Sequence, residues 1–383
     1  MPRVAELITA LDEWFDPRWA EPWDAVGLVC GDPDEPVERV LLAVDAVPAT
    51  VAEAVDVGAQ LFVTHHPLLL TAVHGIPADD PKGVLVHRMV RAGVAHFVAH
   101  TNADVASPGV SDALAQRLGL HDVVPLEQRE EALDKLVVFV PHDAAEPLID
   151  ALAAAGAGRL GDYDRCAWTT QGAGTFRPLA GATPAIGEVG TVELVPETRV
   201  EMVVPPQVRT AVLAALRAAH PYEEPAFDLL ATVATPGPQG TGRIGQLPAP
   251  TTLAEFVAHA AGALPATAWG LRAAGDPLRA VRRVAVCGGA GGSLAEHARR
   301  AGADVFLTAD LKHHPAVEAV TERGAGMALV DAAHWATEAP WLDAAAAALA
   351  DRFGTTVDVR VSRQVTDPWT LHVPSPETSS NRP

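Results

Sequence analysis

Two seven-residue strings, Gly58-Ala-Gln-Leu-Phe-Val-Thr64 and Gly302-Ala-Asp-Val-Phe-Leu-Thr308, match position by position in opposite halves of a 383-residue chain. In each, a glycine suited to stopping a helix leads into a short apolar run, the pattern of a buried strand entered from a helix. Both runs reach His-His-Pro: at once in the first, as His65-His66-Pro67, and a few residues later in the second, as His313-His314-Pro315. Proline forbids the strand to continue, so the first pair of imidazoles is delivered at a strand's carboxyl end. A repeat of this kind predicts a unit that is built twice.

The flanking sequence carries the same rhythm. After an amphipathic helix with Val4, Leu7, Ile8, Leu11 and Phe15 on one face, a Pro/Trp-rich connector leads to a short strand at 27–31. Strand 40–44 then ends in Asp45, a helix covers about 49–57, and the repeated strand 61–64 follows. A helix over 82–92 and strand 95–99 lead to His100-Thr-Asn-Ala-Asp104, and helix 111–118 closes the block. The second block starts with strand 284–286 and Cys287 with its glycine run, then helix 294–301, the repeated strand, helix 315–322 and strand 327–330. Short strands alternating with helices predict two α/β halves with parallel sheets, facing each other across one cleft.

Between the halves the order changes to strand 135–140, helix 143–155, strand 166–170, strand 199–204, helix 206–219 and strand 226–233. That βαββαβ succession predicts an inserted ferredoxin-like domain. Its exit, 235–245, reads as a linker from its proline and glycine content. The expected division is a first half at 1–125, the insert at 126–245, a second half at 246–369 and a disordered tail at 370–383.

Composition narrows the function. A hydrophobic share of 49% is enough to fill two or three cores, while no uninterrupted apolar stretch is long enough for a membrane span. No signal peptide is read at the start, so the protein is expected in the cytoplasm. The formal charge of −20 argues against nonspecific nucleic-acid binding, which rests on basic patches. Cys30, Cys166 and Cys287 are far apart, so neither a disulfide framework nor a thiolate zinc site is indicated. Any metal must use histidine and carboxylate.

Ligands of open α/β sheets gather beyond the carboxyl ends of the strands, where His65, His66 and Asp104 all stand. His334 and Glu338 lie four apart at the start of a helical run, on one face, the spacing by which a helix offers two ligands. Taken singly, each has an ordinary alternative: a loop histidine pair, a capping Asp, a glutamate complementing a helix dipole. Together they make three imidazoles and two carboxylates, enough to hold two divalent ions if the carboxylates bridge. Such ions would activate a water and polarise the group it attacks. The set suits zinc, iron(II), manganese, cobalt or nickel alike. His100 is a candidate for orienting a ligand. Asp45 and Asp310 could line the cleft. Arg243, Lys82, Arg88 and Lys312 are the nearest candidates for contacts to a triphosphate, each otherwise a solvated surface charge. His313 and His314 read as surface helix residues, and Cys287 as a small core residue.

Trp23-Asp24 with Gly27-Leu, Thr64-His-His-Pro67, His100-Thr-Asn-Ala-Asp104, Thr308-Ala-Asp310, Ala333-His-Trp-Ala-Thr-Glu338 and Thr366-Asp-Pro-Trp369 resemble, in order, the motifs of the Ngg-interacting-factor-like dinuclear metal-centre family. Its members are also known as GTP cyclohydrolase 1 type 2 homologues. Gly161-Asp-Tyr-Asp-Arg-Cys166, Gly172-Ala-Gly-Thr-Phe-Arg-Pro178 and His220-Pro-Tyr-Glu-Glu224 resemble its long form, whose insert is similar to PII and CutA domains. The resemblance implies that His65, His66, Asp104, His334 and Glu338 bind two divalent ions. It also implies a toroidal homohexamer built from trimers and a hydrolase that opens the GTP imidazole ring, releasing formate and leaving 7,8-dihydroneopterin triphosphate. The alternatives are a two-metal hydrolase of another phosphoester or peptide, and a metal-binding scaffold or regulator without turnover. Ala25 and Ala333 depart from the Asn and Gly usual in the family at these places; neither removes a ligand.

Overall fold

Gly58 and Gly302, the glycines that open the repeated strings, both have left-handed backbone, with φ of 67° and 73°. A side chain there would be strained, so glycine ends the helix and turns the chain into the strand. The computed structural model describes residues 1–321 and 326–373. In chain order the elements are α1 (Val4–Trp14), β1 (Gly27–Cys30), β2 (Arg39–Ala43), α2 (Pro48–Asp56), β3 (Leu61–Thr64), α3 (Pro81–Arg91), β4 (Ala95–Val98), α4 (Thr101–Val105), α5 (Val110–Arg117), β5 (His121–Glu131), β6 (Asp134–Pro141), α6 (Ala145–Ala154) and β7 (Ala167–Phe176). They continue with β8 (Glu193–Val204), α7 (Arg209–Ala219), β9 (Phe227–Ala231), β10 (Thr235–Thr252), α8 (Leu253–Ala263), β11 (Leu271–Ala274), β12 (Ala280–Val286), α9 (Ala295–Arg300), β13 (Val305–Ala309), α10 (His313–Thr321), β14 (Ala328–Ala332), α11 (His334–Phe353) and β15 (Asp358–Val361).

The chain divides into two units, residues 1–129 with 238–383, and residues 130–237. The first unit holds two sheets, ordered β1-β4-β3-β2-β15 and β11-β14-β13-β12-β10-β5. Strands β2, β3 and β4 are parallel, as are β12, β13 and β14. The sheets are nonetheless mixed, because β1 runs antiparallel to β4, β11 to β14 and β10 to β12. Antiparallel strands flanking a parallel core are common in open α/β sheets, and periodicity does not reveal their direction.

The largest departure from expectation is β10, whose proline and glycine content reads as a linker. Arg243–Gln246 instead pairs with Val286–Arg283, and β5 lies on its other side. A Cβ at Gly240 would stand 2.3 Å from Glu127 O, and one at Gly245 2.9 Å from His121 O. These glycines therefore serve close backbone approach rather than looseness.

Both faces of each sheet in this unit are covered. Leu41, Ala43 and Phe62 pack on Val51 and Ala54 of α2 and Leu85, Val86 and Met89 of α3. The opposite face, with Leu42, Val63 and Phe97, takes Val4, Leu7 and Leu11 of α1 and also Trp335, Trp341, Leu342, Ala345 and Leu349 of α11. Thus α11, which starts from the end of β14 in the second sheet, seals the core of the first. Burying each such large apolar side chain contributes about 1.5–3 kcal/mol. Residues of α5 and Leu118, which caps it, enter the cores of both sheets, Val110 and Ala113 in one and Leu114, Ala115 and Leu118 in the other.

The second unit has one sheet, β7-β8-β6-β9, with every neighbouring pair antiparallel. Leu136, Val138, Val140, Val200, Met202 and Val204 face α6 and α7 through Leu148, Leu152, Val212 and Leu216. Strands β7 and β8 extend well beyond the predicted 166–170 and 199–204, pairing from Ala167↔Met202 to Phe176↔Glu193. Cross-strand hydrogen bonds carry Gly172 and Gly174 into the ribbon despite their low strand propensity.

Residues 366–373 carry no helix or strand. The predicted end of α10 at Glu322 and the tail from 374 lie outside the described residues. No described helix is long and apolar enough to cross a membrane.

Candidate metal centre

The first ligand pair follows directly from β3. Thr64 is the last strand residue, and its hydroxyl bonds the carbonyl of His66 at 2.9 Å, setting the turn on which both histidines leave the sheet. The pair His334 and Glu338 follows from the start of α11, where the carboxylate stands one turn above the imidazole, with Glu338 Oε1 2.9 Å from His334 Nε2. Ala333, before the helix, has φ −67° and ψ 134°, a backbone any residue adopts. Its departure from glycine therefore costs nothing in backbone geometry.

Every imidazole here is held by its Nδ1. His65 bonds the Ala99 carbonyl at 2.9 Å, His66 bonds Asp45 Oδ1 at 2.7 Å, His334 bonds Asp310 Oδ2 at 2.6 Å, and His100 bonds Asp24 Oδ1 at 2.7 Å. A carbonyl or carboxylate at Nδ1 places the proton there and leaves the Nε2 lone pair for a ligand. The rings crowd together: centroids are 5.0 Å apart for His65 and His66, 5.2 Å for His65 and His100, and 5.1 Å for His66 and His334. Two groups of potential metal ligands result, His65/His66/His100 and His66/His334/Glu338, each with ligand atoms within 4.8 Å of one another. They share His66.

Asp104 stands 3.8 Å from His65 Nε2 through Oδ1. Glu338 lies between the rings, 3.5 Å from His65 Nε2 and 3.1 Å from His66 Nε2. Buried His65 Nε2, Asp104 Oδ1 and Glu338 Oε2 have no hydrogen-bond partner. The 3.1 Å approach of His66 to Glu338 is an ion contact without hydrogen-bond alignment. Buried polar atoms rarely go unpaired, and three converging on one space fit a cation that the protein does not itself provide.

The electrostatics agree. Burial opposes charge on His66 and His334, but Glu338, with Asp45 for the first and Asp310 for the second, outweighs it and pushes the rings up to about 11 and about 9. Burial alone would raise Glu338; the three histidines around it hold it well below the usual carboxylate range. Asp104 is raised, chiefly by burial. A carboxylate that draws protons onto the surrounding rings would draw a divalent ion into the same place.

The remaining candidates fall into place. Asp45 and Asp310, expected to line a cleft, are bonded to the Nδ1 atoms of His66 and His334 and set the orientation of those rings. His100 sits among the ligand rings, its Nδ1 tied to Asp24, instead of behind them. Arg243 is neither a surface charge nor open to a phosphate: 1% exposed, it bonds Asp112 at 2.7 and 2.6 Å and the carbonyls of Ala106, Gly240 and Gly242. Lys82, Arg88, Lys312, His313 and His314 are exposed. Cys287 is buried, and burial, with Asp104 and Glu338 nearby, pushes its thiol up, so it stays protonated.

Gly289 carried no site signal beyond belonging to a glycine run. Its φ is +63°, and an added Cβ would lie 2.4 Å from Glu338 Oε1 and 3.0 Å from His334 Nε2. The run therefore gives His334 and Glu338 of α11 their room, while the Gly289 amide donates to Thr337 Oγ1 at 2.8 Å.

A family model described as Duf34/NIF3 (NGG1p interacting factor 3) matches residues 2–368. The chain belongs to that family. A Mycobacterium tuberculosis protein named GTP cyclohydrolase 1 type 2 homolog is 53% identical over 371 residues, 96% of this chain and 97% of that protein. A Streptomyces coelicolor protein of the same name is 40% identical, with 99% and 98% covered. The crystal structure of a Bacillus cereus protein related to NIF3 superposes with a TM-score of 0.81 at 34% identity, covering 97% of this chain and 99% of that one. That of Staphylococcus aureus protein SA1388 gives 0.80 at 27% identity, with the same coverage.

Proposed function

We propose that the protein is a hydrolase dependent on two divalent ions, held by His65, His66, Asp104, His334 and Glu338, and that its substrate is GTP. The observation carrying the metal reading is the convergence of orphaned His65 Nε2, Asp104 Oδ1 and Glu338 Oε2 on one buried space. When bound, two such ions supply Lewis acidity and an activated water at neutral pH. The chain's own part is to aim four Nε2 atoms inward through Ala99 O, Asp45, Asp310 and Asp24, with the Glu338 carboxylate set among the rings of His65, His66 and His334, where it would help to hold the ions. Burial of His65 and Glu338, and of the Asp104 Oδ1 atom, on the inner side keeps competing solvent from them. His100, with its Nε2 free and its Nδ1 proton held by Asp24, is placed to hold or move a proton beside the ligands.

The GTP assignment rests on the name that the 53% identical relative carries. Incubating metal-loaded protein with GTP tests it, the expected products being formate and a fluorescent pterin. No product with zinc, iron(II), manganese, cobalt or nickel would sink the GTP assignment. Metal analysis of Glu338→Gln separates this from the metal reading, which predicts loss of bound ion whatever the substrate.

The same proposal takes the two sheets of the first unit as repeated halves and residues 130–237 as a ferredoxin-like insert, a narrower insert than the expected 126–245 because β5 and β10 join the sheet of β12. In support, β1-β4-β3-β2 and β11-β14-β13-β12 have the same order and the same antiparallel outer strand, and the insert's sheet has the order expected of βαββαβ. The toroidal homohexamer belongs to the proposal through family membership, and light scattering should give six times the chain mass of 40.0 kDa. The cytoplasm is the proposed location, consistent with three free cysteines.

A further inference from the structure

The second unit's sheet buries one face under α6 and α7 and leaves the other without a helix. On that other face the register sets Gly172 beside Glu197 and Thr170 beside Arg199. A cavity of about 840 Å³ opens there, lined by Phe139, Phe176 and Tyr222, the glycine segment of β7, and the 177–186 connection. This volume lies within the roughly 300–1,000 Å³ of small-molecule pockets. Nothing in the metal centre uses it.

The chemistry of the cavity is specific. Glu197 is only 8% exposed, and its Oε1 accepts the Tyr222 hydroxyl at 2.9 Å. No cation pairs with this carboxylate among the described residues. Room for it is made by Gly174, where a Cβ would stand 2.0 Å from Glu197 Oε2. Tyr222 is locked in turn: its amide donates to His220 Nδ1 at 3.0 Å, and His220 Nε2 donates to the Phe139 carbonyl at 2.9 Å. Burial and Glu197 push the Tyr222 phenol up, so it remains a donor.

Charge counts the same way. Three glutamates, Glu197, Glu223 and Glu224, line the cavity against two arginines, Arg177 and Arg199. Arg199 is already paired with Glu201 at 3.0 Å. A buried carboxylate without a cation, in a net-negative pocket, is complementary to a positive group. The walls are complementary to a ring: Phe176 and Tyr222 stand 5.7 Å apart at 58°, and the Gly172 floor is bare, with nothing within 4 Å of an added Cβ. A flat ring system can rest on that backbone with its faces and edges against the aromatic side chains.

We infer that this face of the second unit binds a small aromatic amine, its ammonium group on Glu197 and its ring between Gly172 and the Phe139, Phe176 and Tyr222 side chains. Tryptamine is the probe, titrated calorimetrically into the full-length metal-loaded protein, with indole-3-propionate as the anionic counterpart of similar size. Tryptamine should bind at least tenfold tighter than indole-3-propionate. Glu197→Gln keeps an acceptor for Tyr222 but removes the charge, and should weaken tryptamine at least tenfold. Gly172→Leu, whose Cβ has nothing within 4 Å, fills the floor, and should abolish binding while melting temperature and metal content stay at wild-type values. Failure of tryptamine to bind, equal binding of the propionate, or wild-type affinity in Gly172→Leu would each overturn the site. Should Glu197→Gln not fold, the charge comparison and Gly172→Leu decide alone.

Discussion

His66 and His334, from opposite ends of the chain, face each other with ring centroids 5.1 Å apart, and both reach Glu338. The contact exists because α11 leaves one sheet and packs on the other. Each ring is aimed by a different aspartate, so the two half-sites can be weakened separately.

Asp45→Asn and Asp310→Asn each replace the carboxylate at Nδ1 of one of these rings. Loss of such an orienting partner typically lowers metal affinity about 10–100-fold. Each variant should retain the fold, and competition with a chromophoric chelator should show weaker metal binding than in wild type. Unchanged affinity in both would show that the aspartates do not set the rings.

Gly289→Ala separates backbone strain from intrusion into the site. At φ +63° a non-glycine residue costs on the order of 1–2 kcal/mol, and here its Cβ also meets Glu338. Gly302→Ala, at φ +73° with nothing within 4 Å, carries the strain alone. Both variants should melt a few degrees lower, but only Gly289→Ala should lose bound metal by elemental analysis.

Arg243→Met removes one partner of a buried ion pair and leaves Asp112 and three carbonyls without their donor. Breaking such a pair costs about 3–5 kcal/mol. Urea unfolding should show a loss of that order. A loss under about 1 kcal/mol would mean that water replaces the guanidinium at little cost.

His96 predicts an acid-sensitive component of stability. Its Nε2–H meets Thr64 Oγ1 at 2.8 Å, while Nδ1 is buried without a partner, and burial lowers the ring to about 4. Above pH ~6.5, the ordinary histidine value, neither folded nor unfolded chain is protonated there and the contribution is complete. As pH falls from there towards 4 the unfolded chain takes the proton and the folded one does not, so stability declines; below 4 the loss is finished. At about 1.4 kcal/mol per unit the total is on the order of 3 kcal/mol. Denaturant titrations at pH 7.5 and pH 5 should differ less for His96→Gln than for wild type. Parallel behaviour of the two proteins would refute the assignment.

Local pattern was enough to find the strands that lead to His65, His100 and His334, because apolar runs and helix-stopping glycines act over a few residues; Asp104, expected beyond a strand end, stands instead on the short helix α4. It placed α11 as well, from the helical run 341–350, at whose start His334 and Glu338 stand four apart on one face. It misjudged β10, where glycine content reflects the closeness of β5 rather than a loose connection. It set Arg243 among surface charges, because its partners Asp112 and Ala106 are distant in sequence and only folding supplies them.

By itself the sequence determined which residue types stand at strand ends and which helix carries the His334/Glu338 pair on one face, for these follow from backbone periodicity. Tertiary structure alone decided that His66 would be shared by two clusters able to hold a metal ion, that Asp45, Asp310 and Asp24 would aim the rings, and that Gly289 would leave space for Glu338. Those relations depend on side chains brought within a few ångströms by packing α11 across two sheets, and no local spacing encodes that distance.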